Sequence, residues 1–162
     1  MAETAGRPLT LHASAVASGS RAVLITGAPG AGKSTLALDL IARGARLIAD
    51  DRVCLTRDGD RIKVNAPGGA KALIEARGLG ILDLGPMDRD PDPPRDTAQS
   101  RPNLACIVDL DATSEGRLPP RQFRDLLGVP VPLLSAKGAV SLAPVLVAIL
   151  RGAVLLDPDT PI

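Results

Sequence analysis

Aromatic residues are almost missing: the 162 residues include one phenylalanine, Phe123, and neither tryptophan nor tyrosine. Stacking platforms of the kind that hold single-stranded nucleic acid are therefore excluded, and the core has to be built from Leu, Val, Ile and Ala. Histidine is equally scarce, with His12 alone, and the two cysteines, Cys54 and Cys106, stand far apart without a C-x-x-C pattern. That inventory makes no zinc site and reads as a reduced pair of thiols in a cytoplasmic protein. A charge excess is lacking too: 19 Lys and Arg against 18 Asp and Glu leave a net charge of +1, so neither nucleic acid nor a membrane surface is attracted in general. No apolar run reaches the roughly 18–20 residues of a membrane span, and residues 1–7 carry no secretory leader pattern.

What is present is a globular composition, 45% hydrophobic and 23% charged, with 16 Gly and 15 Pro. Glycine and proline together stay below the roughly 25–30% of disordered chains. The length suits a single domain spanning 1–162.

Two β-compatible runs, 9–16 and 21–26, flank a turn-like Ala17-Ser18-Gly19-Ser20 and predict a hairpin, with His12 on its first strand. From Lys33 the apolar residues Leu36, Leu40 and Ile41 follow a helical stripe that ends at Arg43-Gly44. A short buried strand, 47–49, comes next and runs into Asp50 and Asp51. Residues 23–49 thus read as a β-α-β unit with a parallel sheet. Asp58-Gly59 between 53–56 and 61–64 predicts a second hairpin. Residues 71–76 suit a short helix or an extended segment, 104–110 a buried strand, 118–127 a short helix and 129–134 an extended segment. Residues 140–150 are apolar on every side and predict a terminal element, helical from Pro144 onward. Residues 86–102, with five prolines, four Asp and three Arg, read as a long surface loop, mobile until an acceptor orders it.

The strongest pattern is Gly27-Ala28-Pro29-Gly30-Ala31-Gly32-Lys33-Ser34, a full G-x-x-x-x-G-K-[ST] match between a predicted strand and a predicted helix. Such a loop wraps phosphate oxygens with backbone N–H groups, assisted by the helix N-terminus. Its lysine, Lys33, reaches the β/γ-phosphates, its serine, Ser34, is suited to ligate Mg²⁺, and Thr35 continues the same turn. ATP and Mg²⁺ are the implied cofactors. Asp50 and Asp51, at the end of the strand after that helix, fall beside the loop, where one carboxylate can orient the metal and the other accept a hydroxyl proton.

Four segments in this order, T-L-H-A-S-A-V, I-T-G-A-P-G-A-G-K-S-T, R-G-A-R-L-I-A-D-D and I-E-A-R-G-L-G-I-L-D, closely resemble the catalytic domain of the HPr kinase/phosphorylase family. The resemblance is dense from Leu9 to Asp83 and thinner beyond. It implies an α/β fold: a phosphate-loop (Walker A) mixed sheet with flanking helices, related to the nucleotide-binding domain of phosphoenolpyruvate carboxykinase. The implied activity is ATP-dependent phosphorylation of a serine on the phosphocarrier HPr or its nitrogen-type counterpart, within a homo-oligomer, commonly a hexamer. It further implies Asp51 as the base for the incoming hydroxyl, with Asp50 the other candidate. His12 would hold the carboxylate, Lys33 act on the phosphates, and Ser34 and Glu75 ligate Mg²⁺. Arg77 stabilises transferred charge in this scheme, and Arg117 matches a further family arginine.

Two departures shape the expectation. The first motif begins within a dozen residues of Met1, so the chain resembles a short form without the separate N-terminal domain of many members. In place of a V-R-P-G-R-N-like loop stands Leu134-Ser135-Ala136-Lys137-Gly138-Ala139, so forward transfer is expected to exceed phosphorolysis. The alternatives are a small-molecule kinase and a nucleotide-gated module without catalysis.

Overall fold

The apolar run at 9–16 breaks once, at Ala13, and the break separates two strands with different partners. The structure, a computed structural model, describes residues 7–68, 70–85 and 100–161. In it β1 (Leu9–His12) is followed by β2 (Ser14–Ser18), which forms the predicted hairpin with β3 (Arg21–Thr26) across Gly19-Ser20. Helix α1 (Lys33–Ala42) starts where the stripe starts and ends at Arg43 and Gly44, the latter at φ +99°. Strand β4 (Arg46–Ala49) follows.

β3 and β4 run in the same direction without touching, because β2 lies between them and is antiparallel to both. This corrects the expected pair of adjacent parallel strands. The two-residue turn brings β2 to the edge of β3 with little loop to close, so β4 takes the next free edge.

β5 (Arg52–Asp58) and β6 (Arg61–Asn65) form the predicted hairpin around Gly59-Asp60, and β1 lies antiparallel to β5 with His12 opposite Arg52. Residues 71–76 take the extended option: β7 (Leu73–Ala76) and β8 (Gly80–Asp83) form a separate two-stranded sheet. The buried strand β9 (Asn103–Asp109) is the parallel neighbour of β3 and puts Asp109 opposite Thr26. Two expectations fail here. Residues 118–127 contain no helix; Gln122–Leu126 is strand β10, paired with β11 (Val129–Ser135). The turn Leu127-Gly128, both at positive φ, has the conformation that matches strand twist, and it commits both flanks to a hairpin. Helix α2 (Leu142–Leu150) starts two residues before Pro144, because a first-turn residue needs no N–H partner. The prolines of β11 sit ahead of its parallel pairing with β9, which begins at Leu133.

The outcome is a mixed α/β fold with a curled nine-stranded sheet and, among the described residues, two helices. Alternation along the central strands divides the core. Val16, Val23, Ile25 and Val108 pack against Leu40 of α1 and Leu146 of α2. Ala15, Leu24 and Ile107 face the other way, onto Val53, Leu55, Ile62, Val64 and Val131. Both helices therefore cover one face, and the curl of the sheet covers the other. Among the described residues no helix is long and apolar enough to cross a membrane. The expected mobile loop falls at 86–99 outside the described residues.

Candidate active site

β3, β4 and β9 end at one edge of the sheet, and there the segments leaving β3 and β4, together with the β7–β8 hairpin, build a cleft of about 370 Å³. The first is the glycine-rich loop. Gly27 stands at φ +152°, and a Cβ there would lie 2.9 Å from the Ala31 Cβ and 3.2 Å from the Leu110 Cβ; only glycine lets the chain leave β3 this close to β9. Gly30, at φ +82°, passes the Arg77 guanidinium so closely that a Cβ would sit 3.2 Å from Nη1. Gly32 at φ +102° opens α1, whose first turn holds Lys33, Ser34 and Thr35 against the cleft. N–H groups of a first helical turn have no partner within the helix and suit an anion. Lys33 is almost fully buried. Its Nζ donates to the carbonyl oxygens of Gly27 at 2.9 Å and Ala28 at 3.0 Å, so the ammonium is held at the loop mouth by groups it can exchange for phosphate oxygens.

The second segment is the turn from β4 to β5. Asp50 accepts hydrogen bonds from Ser34 Oγ at 3.0 Å (Oδ1) and 2.9 Å (Oδ2), from Ser14 Oγ, and at a long 3.5 Å from the Glu75 backbone N–H. Asp51 is turned elsewhere: its Oδ1 lies 2.8 Å from His12 Nδ1, with both side chains more than half exposed. The pairing of β1 with β5 brings these two strand ends together, and the Ala13 N–H donates to the Asp51 carbonyl at 3.2 Å. Asp51 also stands at φ +89°, a region that a side-chain-bearing residue occupies at a cost on the order of 1–3 kcal/mol.

The third segment is the β7–β8 hairpin. Glu75 and Arg77, two residues apart, both line the cleft, and Arg77 Nη1 is 3.5 Å from the Gly30 carbonyl. The cleft therefore gathers His12, Pro29, Gly30, Gly32, Lys33, Ser34, Thr35, Asp50, Asp51, Glu75 and Arg77. Gly27, Ala28 and Ala31 form the loop behind them. Arg117 is exposed on the segment between β9 and β10 and does not line the cleft.

Sequence reasoning missed three residues. Asp111, just past β9, accepts the Ala28 N–H at 2.6 Å and ties the loop to the neighbouring strand. The signal was Asp-Leu-Asp at a buried strand end, the same signal that singled out Asp50 and Asp51. Asp109 pairs with Arg124 at 2.7 Å. Partial burial opposes its charge, but the Arg124 hydrogen bond, the Asp111 and Ala112 N–H groups and the Arg124 charge outweigh that and hold its carboxyl below the usual range. Ser14 is fully buried, a polar residue inside an alanine-valine strand.

Fold and cleft together define an α/β protein whose sheet edge sets a glycine-rich loop against an acid pair. Residues 6–87 match the family model described as HPr Serine kinase C-terminal domain, just over half of the chain and all of the cleft residues named above. The chain belongs to this family. It is 36% identical over 140 residues to the HPr kinase/phosphorylase of Cupriavidus metallidurans, covering 82% of this chain and 42% of that protein. Over a shorter stretch of 76 residues, 46% of this chain and 24% of the other, it is 49% identical to the HPr kinase/phosphorylase of Limosilactobacillus reuteri. Among solved structures, the Hpr(Ser) kinase/phosphatase from Coxiella burnetii matches with a TM-score of 0.66 and 26% identity, over 88% of this chain and 93% of that one. The chain spans about two fifths of the length of the curated relative from Cupriavidus metallidurans, 42%.

Proposed function

We propose that this chain is a single catalytic domain that transfers the γ-phosphoryl group of ATP to a serine of the phosphocarrier protein HPr. The observation that carries the reading is the division of labour between the two neighbouring acids. Asp50 is fully engaged with donors, whereas Asp51 faces the cleft with His12 on one oxygen. Asp51 is thus the base and Asp50 the metal-side carboxylate. The comparisons support a protein acceptor, since the relatives carry HPr in their names.

Fixed charge in the cleft supports a metal-dependent nucleotide. Lys33 and Arg77 face the carboxylates of Asp50, Asp51 and Glu75, so a bare triphosphate enters against an acidic balance. Among the described residues no cluster of three or more His, Cys, Asp or Glu side chains could hold a metal unaided. The donor set is all oxygen, from Ser34 and Glu75 with Asp50 behind Ser34, and it fits Mg²⁺, which takes one or two protein ligands and completes its shell with phosphates and water. When bound, Mg²⁺ supplies charge neutralisation of the β- and γ-phosphate oxygens.

In the proposed reaction the loop N–H groups and the first turn of α1 hold the phosphates, and Lys33 exchanges its carbonyl partners for phosphate oxygens. The acceptor hydroxyl gives its proton to Asp51, its oxygen forms the new bond to the γ-phosphorus, and the bond to the β,γ-bridging oxygen breaks, leaving ADP. His12 keeps Asp51 oriented for the proton. Arg77 stabilises charge on the transferred group. Reverse phosphorolysis has to place inorganic phosphate beside phosphoserine, and the 134–139 stretch offers only Lys137, a point charge without the fork of arginine. Forward transfer therefore exceeds the reverse reaction. Incubation with Mg²⁺-ATP and purified HPr, followed by mass spectrometry for a single phosphoserine, tests the proposal; label appearing on a metabolite in place of HPr would transfer the assignment to a small-molecule kinase.

A further inference from the structure

Ser14 carries the one hydroxyl among the fully buried polar side chains described, with no exposed surface at all. Its neighbours Ala13 and Ala15 both pack into the apolar cluster behind the sheet, whereas the Ser14 side chain belongs to neither apolar cluster and reaches Asp50. A buried hydroxyl costs free energy unless it finds a partner. Here the partner is a carboxylate: Ser14 Oγ donates to Asp50 Oδ1, the same oxygen that Ser34 reaches at 3.0 Å. The bond is charge-assisted, and it comes from beneath the cleft, from a strand that contributes no lining residue of its own.

The geometry points to Ser14 as a positioning residue for the metal–nucleotide complex, acting through Asp50. Ser34 donates its proton to Asp50 and so keeps its oxygen lone pairs for an incoming cation. That arrangement holds only while the Asp50 carboxylate keeps one rotamer. Ser14 supplies the fixed donor that holds it there, from a strand locked on both edges by β3 and β4. Loss of a partner that orients a metal ligand without touching the metal costs roughly 10–100-fold in metal affinity in other sites. The inference rests on the phosphoryl-transfer reading above and adds a residue to it.

The experiment measures binding of a fluorescent, non-hydrolysable ATP analogue as a function of Mg²⁺ concentration, with melting temperatures alongside. The proteins are wild type, Ser14→Ala, Asp50→Asn, the double variant and Lys33→Ala. Ser14→Ala is expected to raise the half-saturating Mg²⁺ concentration by about 10-fold, with analogue affinity in Mg²⁺-free buffer and melting temperature close to wild type. In the Asp50→Asn background the same change should add nothing, because the coupled pair acts as one unit. Wild-type Mg²⁺ dependence in Ser14→Ala, or two effects that add, would overturn the inference; so would a lowered melting temperature with Mg²⁺ dependence intact, which marks a packing residue. Lys33→Ala separates the two levels. If it binds the analogue as wild type does, the phosphate-loop reading fails, whereas loss of binding in Lys33→Ala beside an unaffected Ser14→Ala refutes the role of Ser14 alone.

Discussion

His12 Nδ1 lies 2.8 Å from Asp51 Oδ1, and the aspartate that makes this contact is held at φ +89°. A strained backbone at a residue whose side chain is largely exposed gains nothing from packing. Its effect is to turn Asp51 away from the serines that occupy Asp50 and towards His12.

Asp51→Asn keeps the shape and tolerates the left-handed region, where asparagine is among the better-suited residues. ATP binding and melting temperature should stay near wild type while transfer falls roughly 10²–10⁴-fold. Asp51→Gly should lose transfer equally and melt no lower, since glycine removes the strain. Single-turnover phosphorylation and calorimetric melting check both variants; the same loss in Asp50→Asn with Asp51→Asn active would reverse the roles of the two acids.

Replacing His12 with Ala should slow the chemical step without lowering the melting temperature, because its side chain is 56% exposed and outside both apolar clusters. The decisive comparison sets transfer rate per folded molecule against thermal unfolding. A lower melting temperature with an unchanged rate would make His12 a structural hydrogen-bonder.

Much of this site was legible because it is local. The strand-loop-helix context of Gly27 to Ser34 lies in one stretch of chain, and the hairpins at Gly19-Ser20 and Gly59-Asp60 announce themselves by turn chemistry. The helix expected at 118–127 failed for the opposite reason. The fate of β10 is decided by a turn that follows it and by pairing with β11, and no periodicity within Gln122–Leu126 reveals either. Ser14 was silent because it acts on a residue far along the chain, Asp50, and the strand-end signal of Asp111 does not reveal its distant partner, Ala28.

Asp109 makes the fold sensitive to acid. Its folded pKa is depressed, so its contribution is present above the unfolded carboxylate pKa and is lost as pH falls through the lower folded value. Arg124→Gln removes the hydrogen-bonded guanidinium and should lower stability most at neutral pH, with the difference from wild type shrinking as pH falls through the folded pKa and the acid-unfolding midpoint moved to higher pH. Circular dichroism across an acid titration checks it; coincident titrations would show that the two backbone N–H groups hold Asp109 without Arg124.

Burial pushes the Cys106 thiol up to about 12 despite the opposing charge of Arg21. At pH 8 its thiolate fraction is negligible, so iodoacetamide should leave Cys106 unmodified in the folded protein and label it after denaturation. Rapid native-state labelling, read by peptide mass spectrometry, would mean that β9 opens far more often than its position between β3 and β11 allows.

The central claim is that this cleft moves phosphate from ATP to a protein serine through Asp51. The most direct test incubates wild type and Asp51→Asn with Mg²⁺-ATP and HPr and follows HPr by intact-protein mass spectrometry. The account predicts addition of one phosphate on serine with wild type, and a rate lower by roughly 10²–10⁴-fold with the variant. HPr left unmodified by wild-type protein that binds ATP, or modified equally fast by both proteins, would contradict it.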